Sequence, residues 1–247
     1  MGSRIYLLIK VFDKEDQADA FIQKGEMYCN TLGYFKKHED ELRGDAYEGI
    51  TDWHQPDQIT LNISYKDNDG VEQTHLVTDL ASPVTMGHNG FDSLNLYCMY
   101  AVKVSAFEES YENEDERVLV VEKINTMFKE RTDLIEKARS LGRFSVVIYQ
   151  VEEFINRVQQ TAKSLSFKCL KGTIQYYDPD TFSGRFEELD AVFRKRNIYA
   201  DQNEYRFAFG SHEPEDVKII NVGSLDGIAF KIPTNEINEK VQLKLVE

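Results

Sequence analysis

The sequence predicts an α+β fold that is rich in short strands, with its helices gathered near the start and the middle of the chain. Apolar runs of strand length recur between turn residues along most of the 247 residues, whereas few segments have helical spacing. Strands and helices do not alternate regularly, so a wound βαβ fold is not expected. With 41% hydrophobic residues and no linker-like tract, we expect a single domain over residues 1–247.

The N-terminal part begins with a predicted strand at Arg4–Phe12, whose Ile, Leu and Val content is typical of a strand buried on both faces. A short helix should follow, with Asp13 as its N-cap and Gly25 at its end. The polar segment KKHEDELRGDAYEG then predicts a long exposed loop.

The next part predicts a hairpin and a central strand. Strand-like runs at Gln58–Tyr65 and Glu72–Thr78 flank KDNDG, which is a strong turn signal. The run SLNLYCMYAVKVSAF, residues 93–107, is apolar on both sides. It is therefore predicted to be a strand in the middle of a sheet.

The second half predicts two helices and a series of strands. Apolar residues have helical spacing in Glu114–Leu141, which should end at Gly142, and again in VEEFINRVQQTAKSL. The run RFSVVIYQ between them is a predicted strand. Five further short strands are predicted in GTIQYYD, NEYRFAF, VKIINV, GIAFKI and VQLKLV.

Composition narrows the class of function. A net charge of −14 and a pI near 4.9 argue against broad non-specific binding to nucleic acid or to an anionic membrane. The three cysteines are far apart, which indicates reduced thiols rather than a disulfide framework. Because neither metal-ligand spacing nor a signal peptide is visible, we expect a cytoplasmic protein without a metal.

The stretch IYADQNEYRFAF, residues 198–209, carries polar side chains at alternate positions of an apolar run. In a strand, Tyr205, Phe207 and Phe209 would share the core face, and Glu204 would point to the other face just after a turn that holds Gln202. Both polar groups would then project into one cleft. The alternative is a half-exposed edge strand with an ordinary surface row of Glu204 and Arg206.

This stretch resembles the Q-x-E motif of the mono-ADP-ribosyltransferases, including toxin-like bacterial and phage-associated members. The opening strand YLLIKVF, the helix after it and GEMYCNTLGYF are also similar to the start of such enzymes. The resemblance implies a core of two packed, mostly antiparallel sheets with flanking helices. It further implies that NAD is the substrate and that ADP-ribose passes to a macromolecular acceptor, either protein or nucleic acid. An intracellular toxin or phage-conflict effector could also have a neutralising protein partner.

The resemblance assigns roles to individual residues. Glu204 would stabilise the cation-like ribose as nicotinamide leaves, and Gln202 would orient the acceptor. Either Tyr97 or Tyr100 would stack on the nicotinamide ring. The remaining expectation is that cations hold the diphosphate, with three candidates: Lys10, Arg43 and Lys195.

The sequence departs from the family pattern at two points. The family's first motif usually carries Arg or His on its opening strand, whereas the nearest polar strand residue here is Lys10, and no Ser-Thr-Ser motif is present. Two competing functions therefore stay open. One is a non-catalytic α+β binding or interaction protein in which Glu204 is structural, and the other is a glycosidase-type enzyme with two carboxylates.

Two short motifs have alternative interpretations. RGDAYEG, residues 43–49, could form a loop that closes over the cofactor, or a turn in which Arg43 pairs with Asp45 or Glu48. The basic run Arg194–Arg196 could be the last turn of a helix, where cations are favoured. It could instead steer phosphates or a nucleic-acid acceptor towards the site.

Overall fold

The computed structural model describes residues 3–37, 44–105, 111–134, 136–187, 189–211 and 217–244. It has a mixed α+β architecture with several antiparallel sheets, which confirms the predicted fold class at that level. The helices are α1 (Glu15–Lys24), α2 (Leu32–Lys37), α3 (Glu114–Thr132), α4 (Glu136–Arg139), α5 (Val151–Ser164) and α6 (Ile237–Lys240).

The strands lie along the whole described chain. Those of the first half are β1 (Ser3–Phe12), β2 (Glu26–Thr31), β3 (Ile50–His54), β4 (Leu61–Lys66), β5 (Glu72–Val77), β6 (Val84–Gly87) and β7 (Asn95–Ser105). Those of the second half are β8 (Phe144–Ile148), β9 (Lys168–Thr173), β10 (Gln175–Tyr177), β11 (Gly184–Arg185), β12 (Arg194–Arg196), β13 (Glu204–Gly210), β14 (Val217–Asn221) and β15 (Ala229–Pro233).

The main sheet is organised around β7, as its apolar sequence predicts. Its strands follow the order β14-β2-β7-β1-β8-β15, and β13 pairs with β7 on one side and with β9 on the other. All of these pairings are antiparallel. The long strand β7 is therefore the one through which the two halves of the sheet are joined.

The sheet forks along one edge of β7. Tyr100 pairs with both Ile9 of β1 and Glu204 of β13, and Leu96 pairs with both Asn30 of β2 and a residue of β13. Because β13 occupies one edge at both places, β1 and β2 must share the other edge. Residues 97–99 of β7 lie between these two pairings and have no strand partner on that edge. Strands β1 and β2 diverge from each other at this gap.

One face of the main sheet is covered by α1 and α5. Phe21 of α1 and Phe154 of α5 lie with their ring centroids 6.0 Å apart, and Phe154 also meets Phe207 of β13 at 5.9 Å. The side chains of Tyr205 and Phe209 belong to the same buried cluster. The predicted core face of residues 205–209 is therefore confirmed.

The opposite face is covered in two separate parts. Near β1 and β8 the residues around α4 and α6 pack on Leu7, Ile9 and Val102. Near the other end of β7, Leu96 and Ala208 pack with Leu32 of α2 and with Val192. A separate three-stranded sheet, in the order β11-β3-β6, contributes Trp53 to a cluster of its own. The forked edge of β7 opens between these two coverings.

The long helix predicted at Glu114–Leu141 is interrupted, and that prediction was wrong in its extent. The helix α3 ends at Thr132, and α4 begins at Glu136. The side chain of Asn238 accepts a hydrogen bond from the Leu134 backbone N–H (2.8 Å) and donates one to its carbonyl (2.9 Å). These two bonds replace helical ones, so a residue more than a hundred positions away ends the helix.

Other segments also differ from the prediction. GTIQYYD forms parts of two strands, β9 and β10. Between them, the N–H of Ile174 donates a hydrogen bond to the carbonyl of Glu204 (2.9 Å). The basic run Arg194–Arg196 is the strand β12 and not a helix end, since it pairs in parallel with β10. Residues 241–244 of the predicted last strand are not in a strand.

The predicted hairpin is confirmed at β4 and β5. The two strands pair with each other and, among the described residues, with no other strand. Most of their side chains are exposed, including Ile63 and Leu76. Within the described chain, no helix has the length and apolar character that crossing a membrane requires.

Candidate functional site

A tight turn places Glu204 as the first residue of β13. A short 3-10 turn covers Asn197–Gln202, and Asn203 then adopts a left-handed conformation (φ +40°), which asparagine tolerates better than most residues. The Asn203 carbonyl accepts a hydrogen bond from Ala101 N (2.8 Å), and the Glu204 N–H donates to the Tyr176 hydroxyl (3.0 Å). The strand therefore begins at Glu204, one residue after the predicted Asn203.

Four charged side chains form a closed buried network, which we call the quartet: Glu48, Lys195, Glu204 and Arg206. The two oxygens of Glu204 lie 2.7 Å from Arg206 Nε and 2.8 Å from Lys195 Nζ. The two oxygens of Glu48 lie 2.9 Å from Lys195 Nζ and 3.1 Å from Arg206 Nη2. Each carboxylate therefore binds the same two cations, and none of the four side chains is more than 5% exposed.

The quartet keeps Glu204 and Lys195 charged. Burial alone would raise the pKa of Glu204, but Arg206 and Lys195 outweigh it and hold that pKa well below its ordinary value. Burial would likewise lower the pKa of Lys195, whereas Glu204 and Glu48 raise it above its ordinary value. Glu204 is thus a permanent carboxylate at neutral pH, and it cannot act as a general acid there.

Cys98 lies opposite Arg206 in the pairing of β7 with β13. Burial, together with the nearby Glu204 carboxylate, raises the pKa of the Cys98 thiol to about 12. The group therefore stays protonated at neutral pH, and it is a poor nucleophile because the thiolate is the reactive form.

A cavity of about 520 Å³ opens at the fork, beside the quartet. Its walls come from the end of β1 and the start of α1, from β2, from the middle of β7, from the region of α4, and from residues 195–206. Its volume is within the range of ~300–1,000 Å³ that is usual for small-molecule sites. Every predicted site residue that the structure describes lines it: Lys10, Tyr97, Tyr100, Lys195, Gln202 and Glu204.

Gln202 and Glu204 are brought together as predicted. The Gln202 side-chain oxygen accepts a hydrogen bond from Lys195 Nζ (2.9 Å), and the same ammonium binds Glu204. Lys195 is thus enclosed by two carboxylates and an amide and is 4% exposed. Its expected role of holding a diphosphate is not supported by this position, because its charge is already balanced inside the quartet.

The two candidate tyrosines point to opposite faces of β7. The half-buried Tyr100 is on the cavity side, and its hydroxyl accepts a hydrogen bond from Asn203 Nδ2 (3.2 Å). The ring of Tyr97 packs on the other face, 5.7 Å from the ring of Phe21. The ammonium of Lys10 lies 4.5 Å from the Tyr97 ring centroid. Tyr100 is therefore the better placed of the two to stack on a ligand.

Lys10 reaches into the gap of the fork. Its Nζ donates a hydrogen bond to the Cys98 carbonyl (2.8 Å), so it binds the open edge of β7 while lining the cavity. Arg43, the third predicted phosphate ligand, lies outside the described residues.

The alternative of a half-exposed surface row at residues 204–206 was wrong. Strand β13 lies between β7 and β9, and Glu204 and Arg206 are 4% and 1% exposed. The RGDAYEG motif contains a turn at residues 46–49, and its Glu48 lines the cavity, whereas the predicted pairing of Arg43 lies outside the described residues. Its Asp45 pairs with Arg196 Nη2 (2.9 Å), and its Glu48 completes the quartet.

Three residues on β2 that sequence reasoning missed also line the cavity. Glu26, Tyr28 and Asn30 alternate along this strand and face the site, whereas Met27 and Cys29 between them are buried in the core. The alternation in EMYCN was the signal that could have identified them. Among the described residues, no three His, Cys, Asp or Glu side chains are grouped so that they could hold a metal ion.

No protein-family model matches this chain, and no curated protein or solved structure matches it significantly.

Proposed function

We propose that the cavity binds NAD and that the protein transfers ADP-ribose from it to a macromolecular acceptor. The observation that carries the proposal is that Lys10, Tyr100, Gln202 and Glu204, which come from separate segments of the chain, line one cavity. This is the arrangement that a Q-x-E transferase site needs. The proposed fold is accordingly an ADP-ribosyltransferase-like version of the α+β architecture.

The proposed chemistry uses a fixed negative charge. When the bond between nicotinamide and ribose breaks, its electron pair leaves with the nicotinamide nitrogen, and positive charge develops on the ribose. The Glu204 carboxylate remains ionised and would stabilise this charge. A nucleophilic oxygen or nitrogen of the acceptor then bonds to the ribose carbon and loses its proton to solvent water.

The quartet limits how much Glu204 can contribute. Two carboxylates and two cations cancel formally, so the developing cation would interact with an oriented dipole rather than a net negative charge. Besides Arg206 Nε and Lys195 Nζ, the Cys98 thiol donates a hydrogen bond to the Glu204 carboxylate, whose two oxygens offer about four lone-pair sites in all. A single preorganised group of this kind supplies about 10²–10³ in rate.

Other residues have supporting roles in the proposal. Tyr100 would stack on the nicotinamide, and Gln202 would orient the acceptor next to Glu204. Lys10 and the exposed Lys14 line the cavity and would attract the diphosphate.

A glycosidase with paired carboxylates is less well supported. Glu48 is a second carboxylate close to Glu204, since both bind the same cations. Such enzymes need one carboxylic acid with a raised pKa to protonate the leaving group. The pKa of Glu204 is lowered instead.

The competing function is a non-catalytic protein that binds a ligand in this cavity. Both oxygens of Glu204 are held by cations, and such a buried network can serve the fold alone. This observation favours the second candidate, so the experiment must separate binding from chemistry.

The test is incubation of the full chain with NAD labelled in its adenylate part, with protein, RNA and DNA acceptors in separate reactions. Release of nicotinamide and transfer of label are both measured. Glu204→Gln should lower both by about 10² or more. Gln202→Ala should lower transfer but leave nicotinamide release, because its proposed role concerns the acceptor. Glu114→Gln changes an exposed glutamate and should alter neither.

Calorimetry and thermal melts complete the test. A wild-type protein that binds NAD but releases no nicotinamide would support the binding protein and overturn the transferase. A wild-type protein that shows no NAD binding and no nicotinamide release would overturn the transferase and would exclude NAD as the ligand of the binding protein. A Glu204→Gln variant that has lost its cooperative melt reports on folding alone, and Gln202→Ala then carries the comparison.

The proposal extends to a role as an intracellular toxin or phage-conflict effector with a neutralising protein partner. Expression in a bacterial host should then arrest growth with the wild-type chain and not with Glu204→Gln. Because the net charge is −14, a basic partner would associate fastest with this protein.

A further inference from the structure

Strand β2 presents a row of three different side chains to the cavity. Glu26, Tyr28 and Asn30 occupy alternate positions, so their side chains leave the same face of the strand about 7 Å apart along it. Tyr28 is 57% exposed, an unusual state for a large aromatic side chain in a main-sheet strand. We call Glu26, Tyr28 and Asn30 the β2 row.

The polar side chains of the row have no partner in the part of the chain that the structure describes. Among those residues, no group hydrogen-bonds to the side-chain amide of Asn30, and no cation pairs with the Glu26 carboxylate. Both side chains are only partly exposed and line the cavity. A half-buried amide and a half-buried carboxylate thus lie beside an exposed aromatic ring, and no described residue binds either polar group.

The three groups match the parts of one small molecule. An aromatic ring stacks on a nucleobase, and such stacking contributes about 1–3 kcal/mol per base. An Asn side chain pairs in two places with the amino group and ring nitrogen of adenine. A carboxylate commonly accepts hydrogen bonds from ribose hydroxyls.

The row lies across the fork from the quartet. Asn30 joins β2 to β7 at Leu96, whereas Glu204 meets β7 at Tyr100, four residues further along and on the opposite edge. Because β2 runs antiparallel to β7, the row continues from Asn30 towards the level of Tyr100, on the far side of the gap from β13. Two strand spacings of about 4.8 Å separate the row from β13, which places the two sites roughly 10 Å apart. They therefore lie on opposite sides of one cavity, with Lys10 between them in the gap.

We infer that the β2 row is an adenosine-binding subsite, in which Tyr28 stacks on adenine, Asn30 hydrogen-bonds to its amino edge and Glu26 binds the ribose hydroxyls. The inference rests on the proposed function for the identity of the whole ligand, because it places the adenosine half of NAD at β2 and the nicotinamide half at Glu204. It can nevertheless be tested with adenosine nucleotides alone.

The experiment is calorimetric titration of the full chain with AMP, NAD, deamino-NAD (which carries hypoxanthine) and nicotinamide mononucleotide. Tyr28→Ala should weaken the binding of AMP and NAD about 10-fold or more and leave nicotinamide mononucleotide unchanged. Tyr28→Phe keeps the ring and should bind like the wild type. Tyr149→Ala removes an exposed tyrosine that does not line the cavity and is the matched control.

Asn30 is tested by its discrimination between bases. The wild type should bind NAD about 10-fold more tightly than deamino-NAD, and Asn30→Ala should bind the two about equally. The affinities for NAD and deamino-NAD are compared on the same variant, so a general loss of stability would weaken both and would not change their ratio.

The outcomes separate this inference from the proposed function. Binding of AMP that depends on Tyr28, in a protein that never releases nicotinamide, would support the subsite and overturn the transferase. Release of nicotinamide that is unaffected by Tyr28→Ala, with unchanged affinity for NAD, would overturn the subsite and leave the transferase. A wild type that binds no adenine nucleotide overturns the subsite.

Discussion

Replacing Lys195 with methionine should lower the free energy of unfolding by about 3–5 kcal/mol, the usual cost of removing one partner from a buried ion pair. Methionine fills much of the same volume, so the loss is mainly electrostatic. Lys195 contacts Glu48 at 2.9 Å and Glu204 at 2.8 Å. Without it, Arg206 alone faces two buried carboxylates, and the quartet changes from neutral to a net charge of −1.

A double variant tests whether charge balance is the cause. Glu48→Gln together with Lys195→Met makes the quartet neutral again and keeps the pair of Glu204 and Arg206. Because the two sites share partners, the loss should be smaller than the sum of the single losses by about 1–3 kcal/mol. Lys231→Met is the surface control, since Lys231 pairs with the exposed Glu15, and it should cost ~0–1 kcal/mol.

Urea denaturation at neutral pH, followed by circular dichroism, measures five proteins: the wild type, Lys195→Met, Glu48→Gln, the double variant and Lys231→Met. If Lys195→Met costs no more than the Lys231 control, the quartet is not the tightly coupled buried network described above. If the loss in the double variant equals the sum of the two single losses, the description is also contradicted, because additive losses would mean that Glu48 and Lys195 do not interact.

Three further perturbations have definite expected results. Gly25→Ala should lower the free energy of unfolding by more than ~2 kcal/mol, because Gly25 has φ +62° and an added Cβ would lie 2.5 Å from Gly223 O. Gly70→Ala has open space around the added Cβ and should lower the free energy of unfolding by less in the same urea titration. Replacing residues 60–78 with a short Gly/Ser linker should shift the Tm by less than about 4 °C in a thermal melt, because that hairpin pairs with no other strand of the described chain. A lost transition would contradict this. Folding lowers the pKa of Glu204, so ionised Glu204 stabilises the folded protein above its ordinary pKa of 4.5, and this stabilisation is lost as the pH falls below that value. Below pH 4.5 the urea midpoint should therefore fall less steeply with pH in Glu204→Gln than in the wild type.

Local sequence patterns predicted much of the fold and one part of the site. Alternation in NEYRFAF placed Tyr205, Phe207 and Phe209 in the core and Glu204 on the opposite face, because side-chain direction in a strand follows from position alone. The same reasoning identified the hairpin and the central strand β7, whose turn residues and apolar content are local signals.

What the sequence could not predict depends on distant partners. Glu48 enters the quartet only because β13 and the segment before β3 meet in three dimensions, and no local pattern marks that contact. The helix break at Leu134 depends in the same way on Asn238. In β7, which is apolar on both sides, Tyr97 and Tyr100 could not be assigned to faces from their residue type. Their packing against Phe21 and Asn203 decides it.

The position of β7 has a consequence for how the molecule is made. Its two edges are completed by residues 3–9, 30–31 and 204–209, so its neighbours are separated by most of the chain. Sheets with such non-local pairing fold slowly, because long loops must close before the contacts form. During synthesis β7 leaves the ribosome well before β13, so the edge of β7 that pairs with β13 stays unpaired until β13 follows. The side of the cavity that contains Glu204 therefore cannot form until most of the polypeptide has been synthesised.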